Sequence, residues 1–420
     1  MKTIKTILLS TVTMMATGLL IGCSEDDFEK SIFGLEETGL DKNSYTYALD
    51  AYLEDNFLKP YNVQFIYRME DLGTDMQKDL VPATYEQSKQ LAVLCKYMWY
   101  DIYKELAGEK DVFLKKYSPR IIHLTGTPGF NSDGTETLGY ATNGTKITLQ
   151  AVNRLDYNLI EGHYGLNNMF FHTMHHEFTH ILDQTISHPQ AFNVISTGLY
   201  NSDWNSTPDE IAVGNGFVTS YASANNTEDW AETVSNYITK NQADWDEMLD
   251  IASYDWEQVD FKDDEERDSL TSLYTKALVY PASYNTDSIG RSFRLGSGEY
   301  KWVRKSIVRD QVTGKPVKDE DGKIQYLHNK AIDAIAVINQ KVDLAREWLK
   351  ENYQIDLDLL RKTVQERQYM TDENGNLITK KDGNGKITYV NRLTQPDPQN
   401  PEQTLMNSLL KTIDAYAVEK

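Results

Sequence analysis

Residues 170–182 read FFHTMHHEFTHIL, and their apolar members recur at helical spacing: Phe170, Phe171, Met174, Phe178, Ile181 and Leu182 fall along one stripe of an α-helix. A helix with that stripe has to be buried along it, so the segment belongs inside a domain. The same winding stacks His176 and His180, four residues apart, on a shared face, with Glu177 one step round. Whatever fold the chain adopts must cover the stripe and leave the histidine face open to a cleft.

The pattern His176-Glu177-x-x-His180 is H-E-x-x-H, in which two imidazoles on one helix face hold a zinc ion and the glutamate beside them accepts a proton from the attacking water. His172 and His176 are also four apart, but no glutamate follows His172. His172 and His175 are therefore expected to line the wall or support the ligands. A catalytic zinc usually keeps three protein ligands and one open position. The metzincin pattern would need glycine at 183 and histidine at 186, where this chain has Asp183 and Ile186.

A third donor is available in GFVTSYASANNTEDWAETVSNYI, residues 216–238. Glu228 and Glu232 lie one turn apart and share a helix face, while Trp230, Ala231, Val234, Tyr237 and Ile238 make the packing side. The residues alone leave a second reading open, in which these carboxylates only complement the helix dipole behind a cap at Asn226 or Thr227.

The N-terminus MKTIKTILLSTVTMMATGLLIGC has a basic start and an apolar run too short for a comfortable span, and reads as an export signal over residues 1–22. Leu20-Ile21-Gly22-Cys23 resembles the lipobox of bacterial lipoproteins, which implies cleavage before Cys23 and a lipid on it. The acidic SEDDFEK that follows is similar to signals sending lipoproteins to the outer face of the outer membrane, and residues 23–43 read as a tether. Loss of residues 1–22 removes Lys2 and Lys5 and takes the formal charge from -21 to -23. So acidic a chain repels phosphate backbones, which argues against nucleic-acid binding. Once Cys23 is lipidated only Cys95 remains, so no intrachain disulfide staples the domain; within LAVLCKYMWY, Cys95 is expected to be buried packing.

Order along the chain predicts an α+β fold. SYTYALDAYLEDNFLKPY predicts a helix ending before Pro60, and EQSKQLAVLCKYMWYDIYKELAG a longer one stopped by Gly108. RIIHLTGT and the hairpin signal Asn143-Gly144 inside TLGYATNGTKITLQAV then supply a small sheet ahead of the histidine helix. Residues 44–290 are expected to form the catalytic domain and residues 291–420 a mainly helical region. In the latter, IDAIAVINQKVDLAREWLKENY places Ile335, Ile338, Val342, Ala345 and Leu349 at helical spacing. Gly-punctuated segments at 310–326 and 372–389 read as hairpins. They are not calcium loops, because Val317 and Lys380 stand at the first ligand position and His328 and Asn391 at the twelfth.

HHEFTH followed by YASANNTEDWAE resembles the active site of gluzincin metallopeptidases of the lethal-factor type. It is similar, more specifically, to zinc-metallopeptidase lipoproteins associated with outer-membrane nutrient import. The resemblance implies a zincin-like α+β domain in which His176, His180 and Glu228 bind Zn2+, Glu177 is the base, and Tyr221, seven residues before Glu228, faces the reaction centre. Glu232 would orient a ligand histidine. It further implies a peptide or protein substrate, membrane attachment through Cys23, and an outer-membrane import complex as partner. A surface lipoprotein that captures nutrients without catalysis is the competing function; an intact Glu177 argues against it, since binding alone needs no base.

Overall fold

The computed structural model describes residues 40–69, 79–107, 112–130, 136–142, 145–252, 256–260, 279–281, 295–296, 299–305, 310, 312–313, 317–318, 320, 332–381 and 387–417. The expected signal, Cys23 and nearly all of the tether lie outside them. The chain divides after Tyr47, and Ala48–Lys420 forms one compact unit around a contiguous apolar core.

Helix α1 runs from Tyr47–Leu53 through a π-helical turn, Glu54–Leu58, into Lys59–Tyr61. It therefore passes Pro60, where the sequence pattern predicted an end. The wide turn just before Pro60 has Lys59 N–H bonded to the Glu54 carbonyl, which opens the ladder where the proline ring would otherwise collide. Asn62, in the left-handed region at φ 55°, ends the helix. Helix α2 is Tyr85–Cys95 continued by a π turn, Lys96–Tyr100, and Asp101–Leu106. Its cap is Thr84, which accepts the Gln87 N–H. It buries Leu91, Leu94, Trp99 and Ile102 completely. Cys95 is buried as expected, with its Sγ 3.7 Å from Met174 Sδ.

Four strands make the main sheet: β1 (Gln64–Ile66), β2 (Ile121–Leu124), β3 (Gly139–Thr142) and β4 (Lys146–Leu149). Their spatial order is β1, β2, β4, β3. The first three in that order are parallel, and β3 runs antiparallel to β4. The β3–β4 pair is the hairpin predicted around Asn143-Gly144, although those two residues lie outside the described set. Strand β1 has only three residues and no alternation to betray it.

Beyond the sheet come helices α3 (His172–Thr185), α4 (Asn226–Thr239), α5 (Ala334–Tyr353) and α6 (Leu357–Gln368). Helix α5 buries Ile338, Val342, Ala345 and Leu349, four of the five residues its spacing placed on the stripe, with Ile335 half-buried at its edge, and packs against α4. Strand Glu299–Lys305 pairs with Trp256–Asp260, and Thr379–Lys381 pairs with Ile387–Tyr389, giving the hairpin expected within 372–389. Most of 310–326 lies outside the described residues. Among the described residues, no helix is long and apolar enough to cross a membrane.

Candidate metal centre

Helix α3 continues a π turn, Asn167–Phe171, and buries Met174, Phe178, Ile181 and Leu182 as its stripe requires. The sheet comes down onto it at Gly139. A Cβ there would stand 2.6 Å from Thr173 Cγ2 and 2.9 Å from the Thr148 carbonyl, so only glycine lets β3 lie this close beside the helix, three residues ahead of His176.

Helix α4 lies alongside α3. Its cap is Asn225, rather than Asn226 or Thr227. Asn225 is extended (φ -167°, ψ 173°), and its side-chain oxygen accepts the N–H groups of Thr227 at 2.9 Å and Glu228 at 3.1 Å. That extended conformation swings the side chain across the first helical turn, which helical backbone at Asn226 or Thr227 does not permit.

The two helices bring three donor atoms together. His176 Nε2 is 3.1 Å from Glu228 Oε2, His180 Nε2 is 3.3 Å from the same oxygen, and the two imidazole nitrogens are 3.0 Å apart. On its other side, His176 Nδ1 lies 2.8 Å from Glu232 Oε1.

A second group of potential ligands is His172, His176 and Glu232. Glu232 has no capacity left for an ion, however. Oε1 faces His176 Nδ1 and, at 3.0 Å, His172 Nε2, while Oε2 accepts from Thr219 at 2.7 Å and Asn236 at 3.1 Å. Four partners saturate a carboxylate. Its carboxylate instead orients His176, and His172 braces it as a supporting residue. His175 turns the other way, fully buried, with Nδ1 3.0 Å from the Tyr103 hydroxyl.

Tyr221 stacks on the His176 ring, centroids 5.8 Å apart and planes at 23°, and Trp204 packs on its outer side at 4.7 Å. Burial first, then the charge of Glu228 and a hydrogen bond to it, push the Tyr221 phenol well above its usual range. It stays a proton donor at neutral pH. Glu177 is half-buried, and its charge acts on both His176 and Tyr221.

Residues 42–358 match a family model described as "Putative zinc-binding metallo-peptidase". The chain belongs to that family. A solved structure of "a putative zinc-binding metallo-peptidase" from Bacteroides caccae ATCC 43185 is 27% identical and superposes with a TM-score of 0.50, over 77% of this chain and 93% of that one. No curated protein matches. The α+β architecture is thus shared with that solved structure.

The residues present fit a zinc ion. Donors about 2.0–2.1 Å from a tetrahedral zinc stand about 3.3–3.4 Å from one another, close to the separations of 3.0, 3.1 and 3.3 Å here. A His176 Nδ1–H given to Glu232 leaves Nε2 to offer its lone pair to the cluster. Burial disfavours charge on His176, but Glu228 and Glu232 outweigh it and push its pKa up to about 10. Glu228 is held well below the usual carboxylate range; burial raises it, and the imidazoles of His176 and His180 more than reverse that. Metal and proton therefore compete for His176.

Thr219, Asn236 and Trp204 were not legible as site residues. Asn236 carried a signal in standing one turn after Glu232, as did Thr219, two residues before Tyr221.

Proposed function

We propose that this metallo-peptidase family member hydrolyses peptide bonds at the bacterial cell surface, with a lipid on Cys23 as its anchor and an outer-membrane nutrient importer as its partner. The observation that carries the hydrolytic reading is the meeting of His176 Nε2, His180 Nε2 and Glu228 Oε2 within 3.3 Å of one another, beside a glutamate on the same helix turn. The lipobox-like Leu20–Cys23 and the acidic residues after it support the location, and the resemblance to import-associated lipoproteins supports the partner.

His176, His180 and Glu228 hold the ion, which when bound supplies Lewis acidity toward the scissile carbonyl and makes water a nucleophile at neutral pH. Glu177 takes the proton of the attacking water and delivers it to the leaving amine. The Tyr221 hydroxyl donates to the oxyanion that develops on the carbonyl. Strand β3, at the edge of the sheet among the described residues, offers backbone groups to an extended peptide. Glu232 keeps the His176 ring from turning.

The decisive experiment is metal analysis of the purified chain with a mixed peptide library as substrate: about one zinc per chain and cleavage are expected, and His180→Ala should lose both. Folded protein without zinc would refute the reading.

Glu228→Ala should weaken zinc affinity more than Glu232→Ala, because the first removes a metal bond and the second only frees a ring, an effect of about 10–100-fold. Chelator competition on both variants ranks them, and the reverse order would exchange the two roles.

Cys23→Ser should move the protein from the membrane fraction to the soluble one, since the lipid is the proposed anchor. Protease treatment of intact cells should remove the wild-type protein; protection would place it on the periplasmic side.

A further inference from the structure

Lys341 lies on the apolar stripe of α5, on the same side as Ile338, Val342 and Ala345, and is fully buried. Its Nζ stands 2.7 Å from Asp229 Oδ2 and donates at 2.9 Å both to Asp229 Oδ1 and to the carbonyl of Gly216. The ammonium also sits over the Phe217 ring, 4.3 Å from its centroid. An alkyl side chain would fill this place without desolvating a charge, so packing does not account for a lysine here.

Its two partners lie on two backbone segments that border the metal centre beside α3: α4 and the stretch leading to Tyr221. Asp229 follows Glu228 in the first turn of α4. Gly216 opens the segment that carries Thr219, bonded to Glu232, and Tyr221, stacked on His176. The seat is tight. Gly216 has φ +88°, and a Cβ on it would stand 2.5 Å from Val337 of α5. Asp229 is further held by the Tyr200 hydroxyl at 3.2 Å.

We infer that Lys341 is a positioning residue for the metal centre: through Asp229 it sets the rotation of the first turn of α4, and so the aim of the Glu228 carboxylate, and through the Gly216 carbonyl it holds the strand of chain leading to Tyr221. The inference rests on the zinc reading of the site. It makes α5, whose Lys341 is 112 residues from Asp229 in sequence, a working part of the centre.

The test uses the full chain. Lys341→Met alone leaves a buried carboxylate unpaired and can unfold the protein, so the informative variant is Asp229→Leu with Lys341→Met, which removes both charges. It should fold, with wild-type far-UV circular dichroism and a cooperative thermal transition, yet bind zinc about 10–100-fold more weakly by chelator competition. Loaded with Co2+ in place of zinc, it should show a visible absorption band altered in position and intensity. A folded double variant with wild-type zinc affinity and Co2+ spectrum would show that the pair only packs, and would overturn the inference. If the double variant does not fold, Asp229→Asn, which keeps the shape of the side chain, takes its place in both measurements: weakened zinc binding with an altered Co2+ band supports the inference, and wild-type values overturn it. A wild-type chain that binds no zinc would instead bring down the reading of the site, and the inference with it.

Discussion

Glu177→Gln is expected to lower peptide turnover by about 10²–10⁴-fold, the usual worth of general acid–base help, or by more because one group serves both proton transfers. The substitution keeps size and most packing while removing the proton acceptor. Glu177 stands outside the converging trio of His176, His180 and Glu228, so zinc content and the melting transition should stay at wild-type values. Cleavage, zinc content and thermal unfolding measured together decide the matter. Equal cleavage by the two proteins would exclude the role assigned to Glu177, and loss of fold and metal together would make it structural. A nutrient-capturing scaffold would show unchanged ligand affinity and no turnover in either form.

Lys341→Met is expected to destabilise the protein by about 3–5 kcal/mol, the cost of leaving one member of a buried ion pair without its partner. Both side chains are fully shielded from solvent. Burial pushes the Asp229 carboxyl up to about 6 against the opposing pull of Lys341, and burial likewise lowers the Lys341 ammonium despite Asp229. For both groups, removal from water outweighs mutual attraction. Deleting the cation alone should therefore be severe, while deleting both charges should restore most of the loss. Urea unfolding of the single and double variants measures this, and a single variant within about 1 kcal/mol of wild type would mean that the carboxylate finds another partner or protonates at little cost.

Much of the α3 face could be read directly from the chain. Four residues of helix bring His176 and His180 onto one side and turn Phe178, Ile181 and Leu182 to another, and no tertiary contact is needed to say so. The β3–β4 hairpin was legible for the same reason, its strands being separated by a short turn. The buried stripe of α5 followed from periodicity. Lys341 sits on that stripe, three residues after Ile338 and four before Ala345, so even this buried charge left a mark, as a lysine in a position where the pattern wants an aliphatic residue.

Local rules stop at the distance a helix or hairpin can reach. Glu228 and Glu232 share a face of α4, and periodicity treats them alike; only the packing of α4 on α3, which joins residues 48–56 apart, turned Glu228 toward both Nε2 atoms and wrapped Glu232 in four partners. The resemblance to gluzincins separated the two, but composition and spacing did not. Strand β1 has too few residues to announce itself and exists because β2 offers it a parallel ladder. Helix α5 reaches Asp229 across 112 residues, a pairing that depends on how the core closes. Thus the chain by itself determined the helix that displays the histidines, the hairpin beside it and the stripes to be buried, because neighbours within one or two turns set those. Which carboxylate meets the imidazoles, and which distant cation steadies it, was decided by the tertiary structure, because burial of one common core chooses among faces that local sequence leaves equivalent.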